Sequence, residues 1–121
     1  MVRRWAILVV LAVGLVSVPL ASEAATARFK AVSQDGQYLW KPMSRAIATG
    51  DRIAWVNPTS SDHTITSYSG PWDKDKVVPS GGRIKMRFTK AGTYKFHCTV
   101  KGHSVVEGDK CSGMCGTVVV R

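Results

Sequence analysis

The sequence predicts an all-β domain, a Greek-key β-sandwich of about seven to eight strands. Polar and apolar residues alternate in residues 83–88 and 94–98, and a period of two residues is typical of a half-buried strand. Turn-forming pairs such as Asp35-Gly36 and Gly50-Asp51 separate the candidate strands. The region after residue 24 has no long stretch with the 3.6-residue period of a helix. Short strands at this spacing favour an antiparallel sandwich.

The pattern places each strand between turn-forming residues. Residues 52–56, for example, carry Ile53 and Trp55 on one face and end at Asn57-Pro58. Ala91-Gly92 predicts a hairpin turn between two strands, and one short helical turn is expected over residues 73–78. The predicted strands, in chain order, are residues 28–33, 37–40, 45–48, 52–56, 63–68, 83–88, 94–98 and 116–121.

Residues 1–24 predict a secretory signal peptide, which leaves residues 25–121 as the folded domain. Arg3 and Arg4 precede the apolar run 5–20, and small residues follow it. This run is shorter than the roughly 20 residues of a membrane-spanning helix. We expect cleavage after Ala24, or alternatively after Ala25 or Ala27; an uncleaved membrane anchor is the other interpretation. The predicted location of the soluble product is periplasmic or otherwise extracytoplasmic.

The chain is strongly basic, with a formal net charge of +9 at pH 7. Its cationic side chains are scattered and form no long basic run. A positive field favours partner proteins with acidic docking surfaces, or an anionic membrane surface. Nucleic acid is a poor partner for an exported protein, and no small-molecule substrate is expected.

The most informative residue is Cys98, at the end of the predicted strand 94–98. Alternation places Tyr94, Phe96 and Cys98 on one face, so that the thiol points into the core. His103 follows in the next loop, and His63 begins another strand that can be adjacent in a sandwich. These residues can therefore meet at one metal ion.

The available donors are one thiolate, two imidazoles and one thioether, from Cys98, His63, His103 and Met114. This is the ligand set of a mononuclear blue-copper centre. A rigid cage of these donors suits both Cu(II) and Cu(I), because little rearrangement accompanies the transfer of one electron. The pattern therefore predicts an electron carrier and not an enzyme.

The same segments resemble the plastocyanin/azurin-type blue (type 1) copper proteins, the cupredoxins. The similar residues are 50–57 followed by His63, 91–98 ending at Cys98, then His103, and Gly113-Met114 with the β-branched ending to Val120. The resemblance extends from about residue 29 to the end. It implies a cupredoxin-like sandwich that binds one copper ion through His63, Cys98, His103 and Met114 and carries electrons between redox partner proteins. It also implies that electrons pass through the exposed edge of His103.

The chain departs from the family between two of these residues. Ten residues separate His103 from Met114, whereas family members usually have two to four. The alternative axial ligands are Met43 and Met86.

Three cysteines in an exported chain predict one disulfide and one free thiol. Cys98 is expected to be free if it binds metal, which leaves Cys111 and Cys115 as the pair. Two alternatives remain open: Cys111 and Cys115 could bind a binuclear copper site, or Cys98 could pair with Cys111 and abolish the metal site.

Other residues near the ligands have expected roles as well. His97 should face away from the metal, since it alternates with Cys98. Asn57 and Thr99 are expected to hold the ligand loops by hydrogen bonds. The functional alternatives to an electron carrier are a protein for copper storage, delivery or resistance, a subunit or domain of a copper oxidoreductase, and a metal-free structural domain.

Overall fold

The computed structural model describes residues 9–15 and 24–121 and confirms the all-β prediction. Residues 9–15 have no regular secondary structure and are exposed, and most of the predicted signal peptide, 1–8 and 16–23, lies outside the described residues. Within the described ranges, no helix is long and apolar enough to cross a membrane. The strands are β1 (Thr26–Gln34), β2 (Gln37–Lys41), β3 (Ser44–Ile47), β4 (Arg52–Val56), β5 (His63–Ser69), β6 (Asp75–Val78), β7 (Arg83–Arg87), β8 (Gly92–His97), β9 (Ser104–Glu107), β10 (Lys110–Gly113) and β11 (Cys115–Val120).

Two sheets form the sandwich, with strand orders β2-β1-β4-β7 and β3-β11-β8-β5-β6. The purely antiparallel arrangement expected from the sequence is wrong for two pairs, since β1 pairs with β4 and β3 with β11 in parallel. The reason is that the chain leaves the first sheet after β2, forms β3 in the second sheet, and returns as β4 beside β1. Strand periodicity does not determine which sheet a strand joins, because such a crossover depends on tertiary packing.

Residues 24–121 form eleven strands, more than the seven or eight predicted. The helical turn expected over residues 73–78 is wrong, because Asp75–Val78 is a strand that pairs with β5 from His63↔Val78 to Thr66↔Asp75. The sequence pattern predicts no secondary structure for the long insertion after His103. It forms the separate hairpin β9–β10, in which Gly108 lies in the turn with φ of +63°, a conformation that glycine adopts readily.

Aromatic side chains fill the space between the sheets. Phe96 is fully buried, and its ring centroid lies 5.0 Å from that of Phe29, 5.5 Å from Trp55 and 6.4 Å from Trp40. Gly116 faces this ring from β11, where a Cβ atom would overlap it. Truncation of a buried Phe to Ala typically costs about 3–5 kcal/mol. This core holds β8 in place and directs the residue that follows it inward.

Candidate metal centre

Neighbouring strands bring the candidate ligands to one end of the sandwich. The predicted alternation of β8 is confirmed, since Tyr94 is 5% exposed and both Phe96 and Cys98 are fully buried. His63 is the first residue of β5, which runs antiparallel to β8. The start of β5 therefore lies beside the end of β8. A short turn, in which the His103 N–H donates to the Val100 carbonyl at 3.0 Å, returns the second imidazole to Cys98.

Three donor atoms converge at this point. The Cys98 Sγ lies 3.8 Å from His63 Nδ1 and 3.4 Å from His103 Nδ1, and the two Nδ1 atoms are 3.3 Å apart. Trigonal bonds of about 2.0 Å to nitrogen and about 2.3 Å to sulfur, lengths found for zinc, would space such donors about 3.5–3.7 Å apart. The observed spacing thus fits a single metal ion held by two imidazoles and a thiolate.

Thr64 and Thr99 hold the Cys98 sulfur in position, Thr64 directly and Thr99 through Thr64. The Thr64 N–H donates to Cys98 Sγ at 3.3 Å, and the Thr99 N–H donates to Thr64 Oγ1 at 2.8 Å. These bonds tie the start of β5 to the residues that follow β8. The expected role of Thr99 in holding a ligand loop is confirmed, and hydrogen bonds to a ligand sulfur tune the metal that it binds.

The second nitrogen of His63 is also held. Its Nε2 lies 2.7 Å from Thr59 Oγ1, and that hydroxyl donates to Asn57 Oδ1 at 2.6 Å. Because the single hydroxyl hydrogen points to Asn57, Thr59 accepts from the Nε2–H of His63, and Nδ1 keeps its lone pair for a metal.

Asn57 is fully buried and organises the loop that leads to His63. Its Nδ2 donates to the carbonyls of Ser61 at 2.8 Å and Val78 at 2.9 Å, while its Oδ1 also accepts from the Thr59 N–H at 3.0 Å. The expected loop-holding role of Asn57 is confirmed.

Burial keeps both candidate imidazoles neutral. It lowers the pKa of His63 from 6.5 to about 4, with a further lowering by nearby His103 and a smaller opposite effect of Asp62. Burial likewise lowers the pKa of His103. Neutral imidazole is the form that binds a metal, so no proton has to leave these rings at pH 7.

Met114 is linked to both neighbouring candidate ligands through its backbone. Its N–H donates to the His103 carbonyl at 2.8 Å, its carbonyl accepts from the Cys98 N–H at 3.0 Å, and its side chain is fully buried. By contrast, Met43 is 60% exposed and Met86 is half-buried against the core. Among these three methionines, Met114 alone has these backbone bonds to candidate ligands.

A disulfide closes the chain around Met114. Cys111 on β10 is bonded to Cys115 on β11, with a Cα–Cα distance of 6.2 Å, and Cys98 is free and buried. The predicted pairing is confirmed, and both alternatives, a binuclear site at these two cysteines and a Cys98–Cys111 bond, are wrong. The bridge ties the inserted hairpin to a strand of the main sheet next to Met114.

Sequence reasoning missed one aromatic neighbour of the site. The ring of Tyr38 lies 4.7 Å from that of His63 and 4.8 Å from that of His103, measured between centroids. A signal was available, because Tyr38 precedes the buried Trp40 by two residues on β2. His97 is outside the cluster, as predicted: its Nδ1 lies 2.9 Å from Ser104 Oγ.

His103 differs from the other two donors in its exposure. It is only partly buried, and with Tyr38, Ser104 and Val105 it lines a surface groove of about 330 Å³. Cys98 and His63 are fully buried. One imidazole edge therefore connects an otherwise enclosed site to the surface.

Comparisons with known proteins identify a related sequence and several similar folds. Amicyanin from Paracoccus denitrificans is 29% identical over 69 residues, which cover 50% of this chain and 53% of that protein, so the match spans about half of the curated relative. A purple cupredoxin from Nitrosopumilus maritimus superposes with a TM-score of 0.57 at 22% identity, covering 78% of this chain and 99% of that one. A mutant of amicyanin in its Cu(I) form gives a TM-score of 0.60 at 19% identity, covering 79% and 82% respectively.

The model of the cupredoxin-like domain family matches residues 6–109. This range includes His63, Cys98 and His103 and ends in the turn of the inserted hairpin, before Met114. The match covers most of the sequence, and the chain therefore belongs to the cupredoxin-like domain family.

Proposed function

We propose that this protein is an exported electron carrier that binds one type 1 copper ion and passes single electrons between redox proteins. His63, Cys98 and His103 would hold the copper ion through two imidazoles and a thiolate, and the Met114 thioether would be the fourth donor. The observation that carries the proposal is the convergence of the first three donor atoms, all within 4.8 Å of one another, in an enclosed site. Copper supplies the one-electron chemistry when it is bound.

The protein side chains hold the donor atoms in fixed positions and keep water away from them. Thr64, Thr59 and Asn57 hold the sulfur and the His63 ring by hydrogen bonds, so the donors need not reorganise when the charge of the metal changes. Burial of Cys98 and His63 excludes water from the site. The partly exposed His103 leaves a single imidazole edge at which a redox partner can approach.

Burial of the ligands also favours a carrier over the alternative of copper delivery, which requires exposed and exchangeable ligands. The oxidoreductase alternative needs further histidines for a catalytic copper. The chain has three histidines, and the one outside the cluster, His97, is hydrogen-bonded to Ser104. For these reasons we propose that the protein is not itself an enzyme.

We further propose that residues 1–24 are removed on export and that residues 25–121 act as a soluble extracytoplasmic domain. The Ala25 N–H donates to Asp51 Oδ1 at 3.0 Å, and the Ala25 carbonyl accepts from the Arg52 N–H at 2.9 Å. Cleavage after Ala24 preserves both bonds, whereas cleavage after Ala27 removes them. Loss of Arg3, Arg4 and Glu23 lowers the net charge from +9 to +8, which supports partners with acidic surfaces, with an anionic membrane surface as a further attractor.

Addition of Cu(II) to the purified protein tests the metal centre. We expect an intense visible thiolate-to-copper band that is absent in Cys98→Ser and lost or displaced in His103→Gly. His97→Ala is the matched control, since His97 lies outside the cluster, and it should keep the band. A colourless wild type, or a band that survives in Cys98→Ser, would refute the proposal. Rapid loss of copper to a chelator would favour delivery over electron transfer.

A further inference from the structure

A second surface feature lies away from the candidate metal centre. A groove of about 440 Å³, called here the basic groove, is formed where the loop after β5 meets the loop after β7. The residues that line it include Pro71, Trp72, Lys74, Arg87, Lys90 and Tyr94.

The basic groove is at the opposite end of the strands that carry the ligands. Tyr94 precedes Cys98 by four residues on an extended strand, a separation of about 13 Å. Trp72 lies beyond the end of β5, whereas His63 begins that strand. A molecule in the basic groove therefore leaves the face around His103 free.

The floor of the basic groove is aromatic and already ordered. The Trp72 ring lies 5.4 Å from Tyr94 and 5.8 Å from Phe88, between centroids, and the first pair is edge-to-face. The polar ends of these rings have partners within the protein, since Trp72 Nε1 donates to the Ser69 carbonyl at 3.0 Å and the Tyr94 hydroxyl donates to the Lys90 carbonyl at 2.6 Å. Tyr94 and Phe88 are buried, whereas Trp72 is partly exposed, so the Trp72 ring presents apolar surface to the groove and needs no ligand to satisfy its N–H.

The backbone of the loop that carries Trp72 packs tightly against β8. Gly70 has φ of +99°, and a Cβ atom there would collide with the Thr93 carbonyl. Only glycine lets the loop carrying Trp72 approach β8 this tightly. The groove is thus formed before any partner binds, which reduces the entropy lost on docking.

The rim of the basic groove is positively charged. Lys74, Arg87 and Lys90 are exposed, and within the described ranges no Asp or Glu is among the residues that line the groove. The exposed Arg83 and Lys85 continue the charge along β7, an edge strand of its sheet. Trp, Tyr and Arg around an apolar centre are the residues most enriched at the energetic centres of protein interfaces.

We infer that the basic groove is a docking site for an acidic segment of a partner protein, separate from the face around His103. Carboxylates of the partner pair with the cationic rim, where Arg87 can bind one of them through two parallel hydrogen bonds. An apolar side chain of the same segment packs on Trp72 and Pro71, which are the partly exposed and exposed apolar residues of the groove. The partner can remain bound while a second protein approaches His103. This docking site does not depend on the copper proposal, because no candidate ligand takes part in it.

A labelled peptide tests this site on the metal-free and the copper-loaded protein. The probe is a short synthetic peptide with glutamates on both sides of one phenylalanine, and the control peptide has glutamine in place of glutamate. We expect the acidic peptide alone to raise the fluorescence anisotropy at 0.15 M salt. In ¹⁵N NMR spectra it should shift the indole N–H of Trp72 and the amides of Arg87 and Lys90, and leave that of His103 in place.

Charge-reversal variants distinguish binding at the basic groove from attraction by the net charge of the whole protein. Arg87→Glu/Lys90→Glu should weaken peptide binding by about tenfold or more. Lys30→Glu/Lys41→Glu is the matched control, because it changes the net charge equally on the exposed side of β1 and β2, and it should weaken binding by less than about threefold. Arg87→Gln/Lys90→Gln is a milder variant in case the reversed charges impair folding.

Three results would overturn the inference. Equal losses in the two double variants would mean that the net charge alone attracts the peptide. Shifts centred on His103 would place the contact at the metal end. Binding to vesicles containing phosphatidylserine, with no binding of the acidic peptide, would assign the surface to a membrane. Since the copper-dependent colour is measured separately, failure here leaves the electron-carrier proposal standing, and the reverse also holds.

Discussion

Replacement of Asn57 by alanine should destabilise the loop that carries His63. The side chain makes four hydrogen bonds, two from Nδ2 at 2.8 and 2.9 Å and two to Oδ1 at 2.6 and 3.0 Å, at a position with no solvent exposure. Each such bond contributes about 0.5–1.5 kcal/mol, so the free energy of unfolding should fall by about 2–6 kcal/mol. Water cannot readily replace the lost partners at a fully buried site.

Urea unfolding of the metal-free protein measures this loss. With an m-value of about 1–2 kcal/mol/M for a small domain, a loss of about 3 kcal/mol lowers the midpoint by about 1.5–3 M. Thr59→Val is the graded comparison, since it removes only the hydroxyl that joins Asn57 to His63, and it should cost about 1–2 kcal/mol. Both variants should also weaken copper binding, because Thr59→Val removes the hydroxyl that orients the His63 ring and Asn57→Ala removes the group that holds this hydroxyl.

One result would refute this reasoning about Asn57. If Asn57→Ala unfolds within about 0.5 kcal/mol of the wild type, the four hydrogen bonds do not hold the loop. A loss smaller than that of Thr59→Val would contradict the proposed hierarchy, in which Asn57 organises the loop and Thr59 extends it to the metal centre.

Two further predictions concern the disulfide and the pH. Cys111→Ser/Cys115→Ser should lower the free energy of unfolding by about 2 kcal/mol, the chain-entropy value for a five-residue loop, as measured by thermal or urea unfolding. The same variant should change the visible copper spectrum, because Met114 is no longer enclosed by the disulfide. The metal-free protein should lose stability as the pH falls from about 6.5 towards 4. The unfolded state binds the His63 proton more tightly over that interval, since the folded pKa is about 4. Burial of His97 and His103 acts in the same direction. For His63 the loss is at most about 3 kcal/mol, and urea midpoints across this pH range measure it.

Controls separate these effects from general destabilisation. An unchanged copper spectrum in the disulfide variant would show that the bridge does not position Met114. For the pH prediction, His63→Gln should remove most of the loss between pH 6.5 and 4. Stability that rises on acidification over this interval would contradict the assigned direction of the pKa shift.

Local patterning accounts for what could be predicted of the fold. Side chains alternate across a strand whatever its neighbours are, so the sequence predicted the strands around Trp55 and Phe96 and the inward direction of Cys98. The helical turn predicted for residues 73–78 was wrong because this strand forms through its pairing with β5. Polar residues that alternate with lysines have little intrinsic preference for a strand. The number of strands was too low because neither β6 nor the two strands of the inserted hairpin were predicted.

The sequence by itself determined the kinds of donor atom and the strand from which Cys98 points inward, because residue chemistry and a two-residue period are local properties. Only the tertiary structure decided that His63 meets Cys98 and His103 within 4.8 Å, since this depends on the pairing of β5 with β8. The parallel pairs, the role of Tyr38 and the basic groove likewise arise where segments distant in the chain come together. Such contacts depend on which strands pair and how the sheets stack, and no single segment encodes them.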